Sequence, residues 1–222
     1  MAEAEELELE DYTVQGATYL QAGRFAEAIA AFSAAIQLAP TVPAGFNNRG
    51  TAYAQAGQPA AALSDFNRAI SLAPDYALAY NNRGFAYRQL DRTAEALADY
   101  AQVLALEPDN AQAQFNRGLA QVEAGAEAAA INAFAAFLRA SRPLAEQLAL
   151  EVADTIYAPT YARACTVLAA EAAQRSDCDD AQEWLRMASL IQPSFVSAYL
   201  QGSRDFATCA AGDWQAFVAR LR

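Results

Sequence analysis

The fold is decided by the stretch from residue 43 to residue 76, PAGFNNRGTAYAQAGQPAAALSDFNRAISLAPDY. Its central glycine, Gly50, has counterparts at one constant spacing along the chain, which are Gly16, Gly84 and Gly118. Three further columns keep the same spacing: Ala28, Ala62, Ala96 and Ala130; Phe32, Phe66, Tyr100 and Phe134; Pro40, Pro74 and Pro108. A fixed period of this length is the signature of a protein built from stacked structural repeats.

Each repeat has the pattern of two helices joined by a turn. In the quoted stretch we predict a first helix over residues 47–56, a turn at 57–59 and a second helix over 60–73. Apolar residues recur at i, i+3 and i+4, as amphipathic helices require. The small Gly50 lets the paired helices approach, and Phe66 fills the space beside it. The period therefore predicts an all-helical solenoid.

This pattern resembles the tetratricopeptide repeat family. The residues that carry the family skeleton are Phe46, Arg49, Gly50, Tyr53, Ala62, Phe66, Ala69 and Pro74. The resemblance implies a right-handed superhelix of antiparallel helix pairs, in which the first helix of each pair lines a concave groove. The string Asn-Asn-Arg-Gly, at residues 47–50 and 81–84, is similar to that of bacterial and plastid members.

One regular departure from the family is an arginine at the position that usually holds leucine. The column consists of Arg49, Arg83 and Arg117. We predict that these side chains lie along the packed stem, with their guanidinium groups paired to nearby acids or carbonyls. The alternative is an exposed arginine stripe that binds an acidic partner.

The register of the repeat divides the chain. We expect an acidic N-terminal tail over 1–8, followed by four repeats over 9–42, 43–76, 77–110 and 111–144. An added helix and connection over 145–161, a degenerate repeat over 162–195 and capping helices over 196–222 complete the division. Asp179 and Asp213 are predicted helix N-caps, and Trp184 and Trp214 are predicted core residues.

The composition removes most catalytic chemistry. The chain has no histidine, and all 15 basic residues are arginines, so imidazole bases and lysine nucleophiles are excluded. The cluster of Asp177, Cys178, Asp179 and Asp180 is interpreted as helix caps and solvent-facing charge. We therefore predict no catalytic residue, no cofactor and no metal site, and a protein that is not an enzyme.

The cysteines and the net charge indicate the compartment and the class of partner. Three cysteines, Cys165, Cys178 and Cys209, form no CxxC pair, and we expect them to act as reduced apolar residues. A formal net charge of −11 disfavours nucleic acid and anionic lipid. No signal-peptide pattern or membrane-spanning stretch stands out, so a cytoplasmic protein is predicted.

The family resemblance places a set of side chains in the groove. They are Asn47, Asn48, Thr51, Asn81, Asn82, Phe85, Arg88, Phe115, Asn116 and Leu119. An amide both donates and accepts, so Asn48, Asn82 and Asn116 could hold the main chain of an extended peptide, with Phe85, Arg88 and Phe115 giving selectivity. The alternative is that the asparagines only bond within the solenoid and keep the repeats in register.

Two further interpretations concern the partner. The chaperone-binding members of the family grip a C-terminal carboxylate with lysines, an arginine and asparagines, and the matching positions here hold Thr13, Ala17, Asn48, Leu78 and Asn82. The lack of basic side chains argues against that activity. The alternative to a peptide-binding scaffold is a self-associating structural component that forms a homo-oligomer.

Overall fold

The computed structural model describes residues 2–153, 155–202, 206 and 209, with side chains described from residue 8 to residue 200 and at 206 and 209. This described part contains twelve α-helices and no strand. In chain order they are α1 (Ala2–Gln21), α2 (Phe25–Leu38), α3 (Pro43–Gln55), α4 (Pro59–Leu72), α5 (Ala77–Arg88), α6 (Thr93–Leu106), α7 (Ala111–Glu123), α8 (Glu127–Ala140), α9 (Arg142–Val152), α10 (Ala158–Gln174), α11 (Cys178–Ile191) and α12 (Pro193–Gly202).

The chain divides into two compact units, Met1–Pro108 and Asp109–Arg222. In unit 1, the pairs α1–α2, α3–α4 and α5–α6 form three hairpins, and each hairpin packs on the next through α2–α3 and α4–α5. The predicted helices of the second repeat are confirmed, although each begins a little earlier. Pro43 and Pro59 occupy first turns, where the missing N–H costs nothing.

The glycine column marks the closest approach of the two helices in each hairpin. A Cβ added to Gly50 would lie 2.7 Å from Cε1 of Phe66, which is too close for any real contact. Gly16 with Phe32, Gly84 with Tyr100, and Gly118 with Phe134 have the same relation. The predicted pairing of a small residue with an aromatic ring is therefore confirmed in all four repeats.

The acidic residues at the N-terminus lie in a helix that begins at Ala2. Because α1 begins at Ala2, residues 2–8 belong to the first helix and do not form the tail expected from the sequence. Alanine and glutamate are good helix formers, and negative charge is favoured in the first turn of a helix.

Unit 2 consists of the hairpins α7–α8 and α10–α11 with two additional helices. The helix α9 packs against α8 and α11, and α12 packs against α11 and α10. The helix α9 begins at Arg142 and α10 begins at Ala158, each slightly before the boundary expected at residue 145 or 162. The Tyr161 hydroxyl donates to the Ala145 carbonyl oxygen at 3.1 Å, which ties α10 to α9.

The start of α11 differs from expectation in its cap. The Asp177 side chain accepts from the backbone N–H of Asp180 at 3.2 Å, so Asp177 is the N-cap and Asp179 lies inside the first turn. Trp184 is buried in the core of unit 2, as predicted. Asp213 and Trp214 lie outside the described residues.

Two of the three cysteines form a disulfide. Cys178, at the start of α11, is bonded to Cys209, and Cys165 is free and buried. The prediction of reduced cysteines is therefore wrong for this pair. Burial raises the pKa of the Cys165 thiol, so that residue behaves as the small apolar side chain expected.

No described helix combines the length and the apolar character that a membrane crossing requires.

Candidate functional site

The asparagines of unit 1 bond to one another between successive repeats. Nδ2 of Asn82, on α5, donates to Oδ1 of Asn47, on α3, at 3.0 Å, and also lies 3.4 Å from the Thr51 hydroxyl oxygen. The Thr51 hydroxyl in turn donates to the Asn47 carbonyl oxygen at 3.0 Å. Asn47 is only 2% exposed. This bonding fixes the register of the second and third repeats, as one of the two interpretations proposed.

The same bonds leave two polar atoms of the asparagines unused. Nδ2 of Asn82 donates to Asn47 and Thr51, whereas Oδ1 of Asn82 has no partner among the described residues. Oδ1 of Asn48 accepts from Nδ2 of Asn47 at 3.4 Å, and no described atom accepts from Nδ2 of Asn48. One acceptor and one donor therefore remain on neighbouring repeats, and we call Asn48, Asn82 and the nearby Phe85 and Arg88 the asparagine face.

Apolar contact on this face comes from Phe85. Its ring is 42% exposed and follows Asn82 by three residues, so both side chains lie on the same side of α5. Arg88, three residues further along α5, and Asn81 are both partly buried. The asparagine face thus combines amide groups with an exposed aromatic ring.

The predicted groove residues of unit 2 are arranged differently. Phe115 is only 6% exposed, and its ring centroid lies 5.0 Å from that of Phe137 and 6.3 Å from that of Tyr161. Asn116 is buried and accepts from Nε2 of Gln112 at 3.2 Å. Leu119 packs against the same core. The structure therefore turns Phe115 into the core, where it cannot serve the selectivity role predicted for it.

The arginine column is paired as predicted in two of its three members. Nε and Nη2 of Arg49 donate to the two carboxylate oxygens of Asp65, both at 2.8 Å. Arg83 binds Asp99 in the same bidentate way at 2.8 and 2.6 Å. These carboxylates raise the pKa of both arginines, chiefly through the hydrogen bonds. Each acid follows its arginine at the same sequence separation of 16, and this shared spacing was the sequence signal that could have identified the pairs.

Each of the two paired arginines also reaches the preceding hairpin. Nη1 of Arg49 donates to the Ser33 hydroxyl at 3.1 Å, and Nη1 of Arg83 donates to Oδ1 of Asn67 at 2.7 Å. Ser33 and Asn67 precede their arginines by the same separation at which the aspartates follow them. The arginines therefore link each hairpin to the one before it.

Arg117 lacks this arrangement. The position that corresponds to Asp65 and Asp99 holds Ala133, and the position that corresponds to Ser33 and Asn67 holds Ala101. Nη2 of Arg117 donates to Oε1 of Gln114 at 2.7 Å, whereas its buried Nε has no hydrogen-bond partner in the described structure. Burial without a carboxylate lowers the pKa of Arg117.

Comparison with known proteins agrees with this architecture. Models of the tetratricopeptide repeat match residues 15–81 and 77–110. The solved first TPR domain of Spaghetti (RPAP3), bound to the HSP90 peptide SRMEEVD, is 31% identical; the match covers 54% of this chain and 94% of that chain, with a TM-score of 0.52. No curated protein matches the chain.

Two further solved structures are similar. The second TPR domain of human RPAP3, in complex with the HSP70 peptide SGPTIEEVD, is 26% identical over 53% of this chain and 98% of that chain, with a TM-score of 0.50. The pilF protein of Pseudomonas aeruginosa covers 96% of this chain and 99% of its own, with a TM-score of 0.61. Its identity of 20% supports similarity of fold alone.

Proposed function

The chain belongs to the tetratricopeptide repeat family, and from this premise we propose that unit 1 binds an extended segment of a partner protein on its asparagine face. The similar domains of RPAP3, which were solved with HSP90 and HSP70 peptides, support a role in protein interaction. The chain would thus act as a non-enzymatic scaffold or assembly factor whose partner is a protein or peptide and not a nucleic acid.

The orientation of the Asn82 amide is the observation that carries this proposal. Because Nδ2 of Asn82 is held by Asn47, its Oδ1 is left as an acceptor for a peptide N–H. Nδ2 of Asn48, one repeat earlier, is a donor for a peptide carbonyl. A main chain offers both groups at every residue, so recognition of this kind tolerates many sequences.

Selectivity would come from the side chains next to the amides. The exposed Phe85 offers apolar and stacking contact, and Arg88 adds a positive charge on a chain whose formal net charge is −11. Phe115 does not enter this proposal, since its ring is in the core of unit 2.

The mode of binding would differ from a grip on a C-terminal carboxylate. The two RPAP3 ligands both end in EEVD. In this chain the positions that match such a grip hold Thr13, Ala17, Asn48, Leu78 and Asn82, none of which is basic. We therefore expect a peptide with an amidated C-terminus to bind as well as the same peptide with a free carboxylate.

The test begins with selection of a ligand from a random peptide library displayed on phage. The selected peptide is then titrated by calorimetry into the wild-type chain and into Asn82→Ala and Phe85→Ala variants. Loss of one hydrogen-bonding partner, or of the aromatic contact, should weaken binding on the order of tenfold in each case. Leu106→Ala, which trims an exposed leucine on α6, is the matched control and should leave affinity unchanged. Unchanged affinity in both test variants would remove the asparagine face from the binding site.

The disulfide bears on where this function takes place. Disulfides persist in oxidising compartments and are rare where thiols are kept reduced. The Cys178–Cys209 bond therefore favours an oxidising compartment and withdraws the support that the cysteines lent to a cytoplasmic location.

A further inference from the structure

A pocket of about 310 Å³ lies between α9 and α11 in unit 2. Its apolar floor includes Ala149 and Met187, both buried, and its rim includes Glu146, Arg186 and Leu190. None of these residues belongs to the asparagine face, so the pocket is a separate surface from the one proposed to bind peptide.

The charges at this pocket fall into two groups. Arg142 is satisfied within the chain, because it pairs with Asp180 and Glu183 and its guanidinium carbon lies 4.3 Å from the centre of the Trp184 ring. Glu146 and Arg186, in contrast, are exposed and form no ion pair or hydrogen bond with the described residues. An acid and a base on facing helices are therefore left for an external partner.

Each of the two helices also exposes a leucine next to its unused charge. On α9, Leu150 follows Glu146 by four residues and is 70% exposed; on α11, Leu190 follows Arg186 by four residues and is 61% exposed. Side chains four residues apart lie on the same side of a helix. We call Glu146, Leu150, Arg186 and Leu190, with the pocket between them, the α9–α11 face.

We propose that a second copy of this chain occupies the α9–α11 face in a two-fold symmetric dimer. In such an interface, residue i of one copy contacts residue j of the other, and j contacts i. A partner must present a base to Glu146, an acid to Arg186 and apolar groups between them, and the α9–α11 face itself presents all three. Two-fold symmetry then forms the Glu146–Arg186 pair twice around a shared core of leucines.

Sedimentation velocity or size exclusion with light scattering over a dilution series provides the test. The wild-type chain should move from the mass of one chain toward twice that mass as concentration rises. E146R or R186E alone places like charges at both symmetric contacts and should raise the dimer dissociation constant about a hundredfold or more. The double variant E146R/R186E exchanges the two signs and should restore the dimer.

The control is E151R, which makes the same charge change on α9. Glu151 lies about 140° around the helix from Glu146, on a different side of α9, so this variant should dimerise like the wild type. At a concentration low enough for every variant to be monomeric, thermal melts should be the same for all of them, since Glu146 and Arg186 have no partners within the described chain and dimerisation itself raises the melting temperature. A wild type that stays at the mass of one chain, a double variant that stays monomeric, or an E151R variant that loses the dimer would each overturn the proposal.

Discussion

At the scale of single residues, the arginine column shows that the same repeat position can be paired differently in successive repeats. Arg49 and Arg83 each hold a carboxylate of their own hairpin, and both carboxylates are nearly buried. Arg117 has the same place in the sequence pattern, but the position that holds aspartate for the other two is Ala133. Its partly buried charge is therefore compensated less well than theirs.

This difference predicts that Ala133→Asp stabilises unit 2. Asp65 and Asp99 show that the hairpin accommodates an aspartate here, and the new carboxylate would meet the unbonded Nε of Arg117. Hydrogen bonds to charged groups contribute roughly 1.5–3 kcal/mol, so urea unfolding should show a gain of about that size. Ala133→Asn has nearly the same shape without the charge and is the control. An aspartate variant no more stable than the asparagine variant would contradict the pairing.

The sequence predicted the arginine pairs in outline and the asparagine bonds as one of two alternatives. It could not distinguish those alternatives because Asn47 and Asn82 lie in different repeats, and their contact depends on how α5 lies against α3. The repeat pattern also could not predict that Phe115 is buried. Its pocket is formed by Phe137, whose counterparts one and two repeats earlier are Val103 and Ala69, and by Tyr161 of the irregular region.

At the scale of helices, the regular repeats and the irregular end differ in how they could be predicted. The bounds of α3 to α8 follow the period of the repeat, because each helix starts and ends at a repeated proline, glycine or turn. No period constrains α9 or α12, and the boundaries there shifted by several residues. The Cys178–Cys209 bond was missed since an odd number of cysteines at irregular spacing does not define a pairing.

The disulfide predicts a measurable redox dependence of stability. It closes a loop with a sequence separation of 31 residues, and restriction of the unfolded chain over such a loop contributes about 3–4 kcal/mol. Cys209→Ser should lower the free energy of unfolding in urea by about that amount. Dithiothreitol should destabilise the wild type to the same degree and leave the variant unchanged.

Thiol alkylation gives an independent check of the same bond. Without reductant, Cys165 should react only after denaturation, because burial raises its pKa and shields the thiol. All three cysteines should react once the denatured chain is reduced. Reaction of three thiols without reductant, or no effect of dithiothreitol on stability, would show that the bond is absent.

At the scale of the whole molecule, the two proposed faces belong to different units and share no residue. A dimer formed through the α9–α11 face would carry two asparagine faces. Such a molecule gains from multivalency when its ligand is presented at high density, because the second contact becomes intramolecular.

The whole-molecule prediction is that E146R separates affinity from avidity. In solution, E146R and the wild type should bind the selected peptide with equal affinity, since Glu146 is not on the asparagine face. On a surface densely coated with that peptide, the wild type should dissociate at least about tenfold more slowly than E146R. Equal dissociation rates on the dense surface would mean that the two faces do not act together, and sparse coating provides the control.

Each paired arginine bonds an aspartate of its own hairpin and a polar side chain of the preceding hairpin. This arrangement affects how such a chain can gain repeats. An extra copy of residues 43–76 inserted in tandem would bring its own Arg49–Asp65 pair, and its Arg49 would find Asn67 of the preceding copy, as Arg83 does now. Duplication of one whole repeat as a module would then leave no arginine or aspartate unpaired at either junction. Insertion of a partial copy that carries the arginine without its aspartate would leave a charge unpaired, so lengthening by complete modules is the route that preserves these bonds.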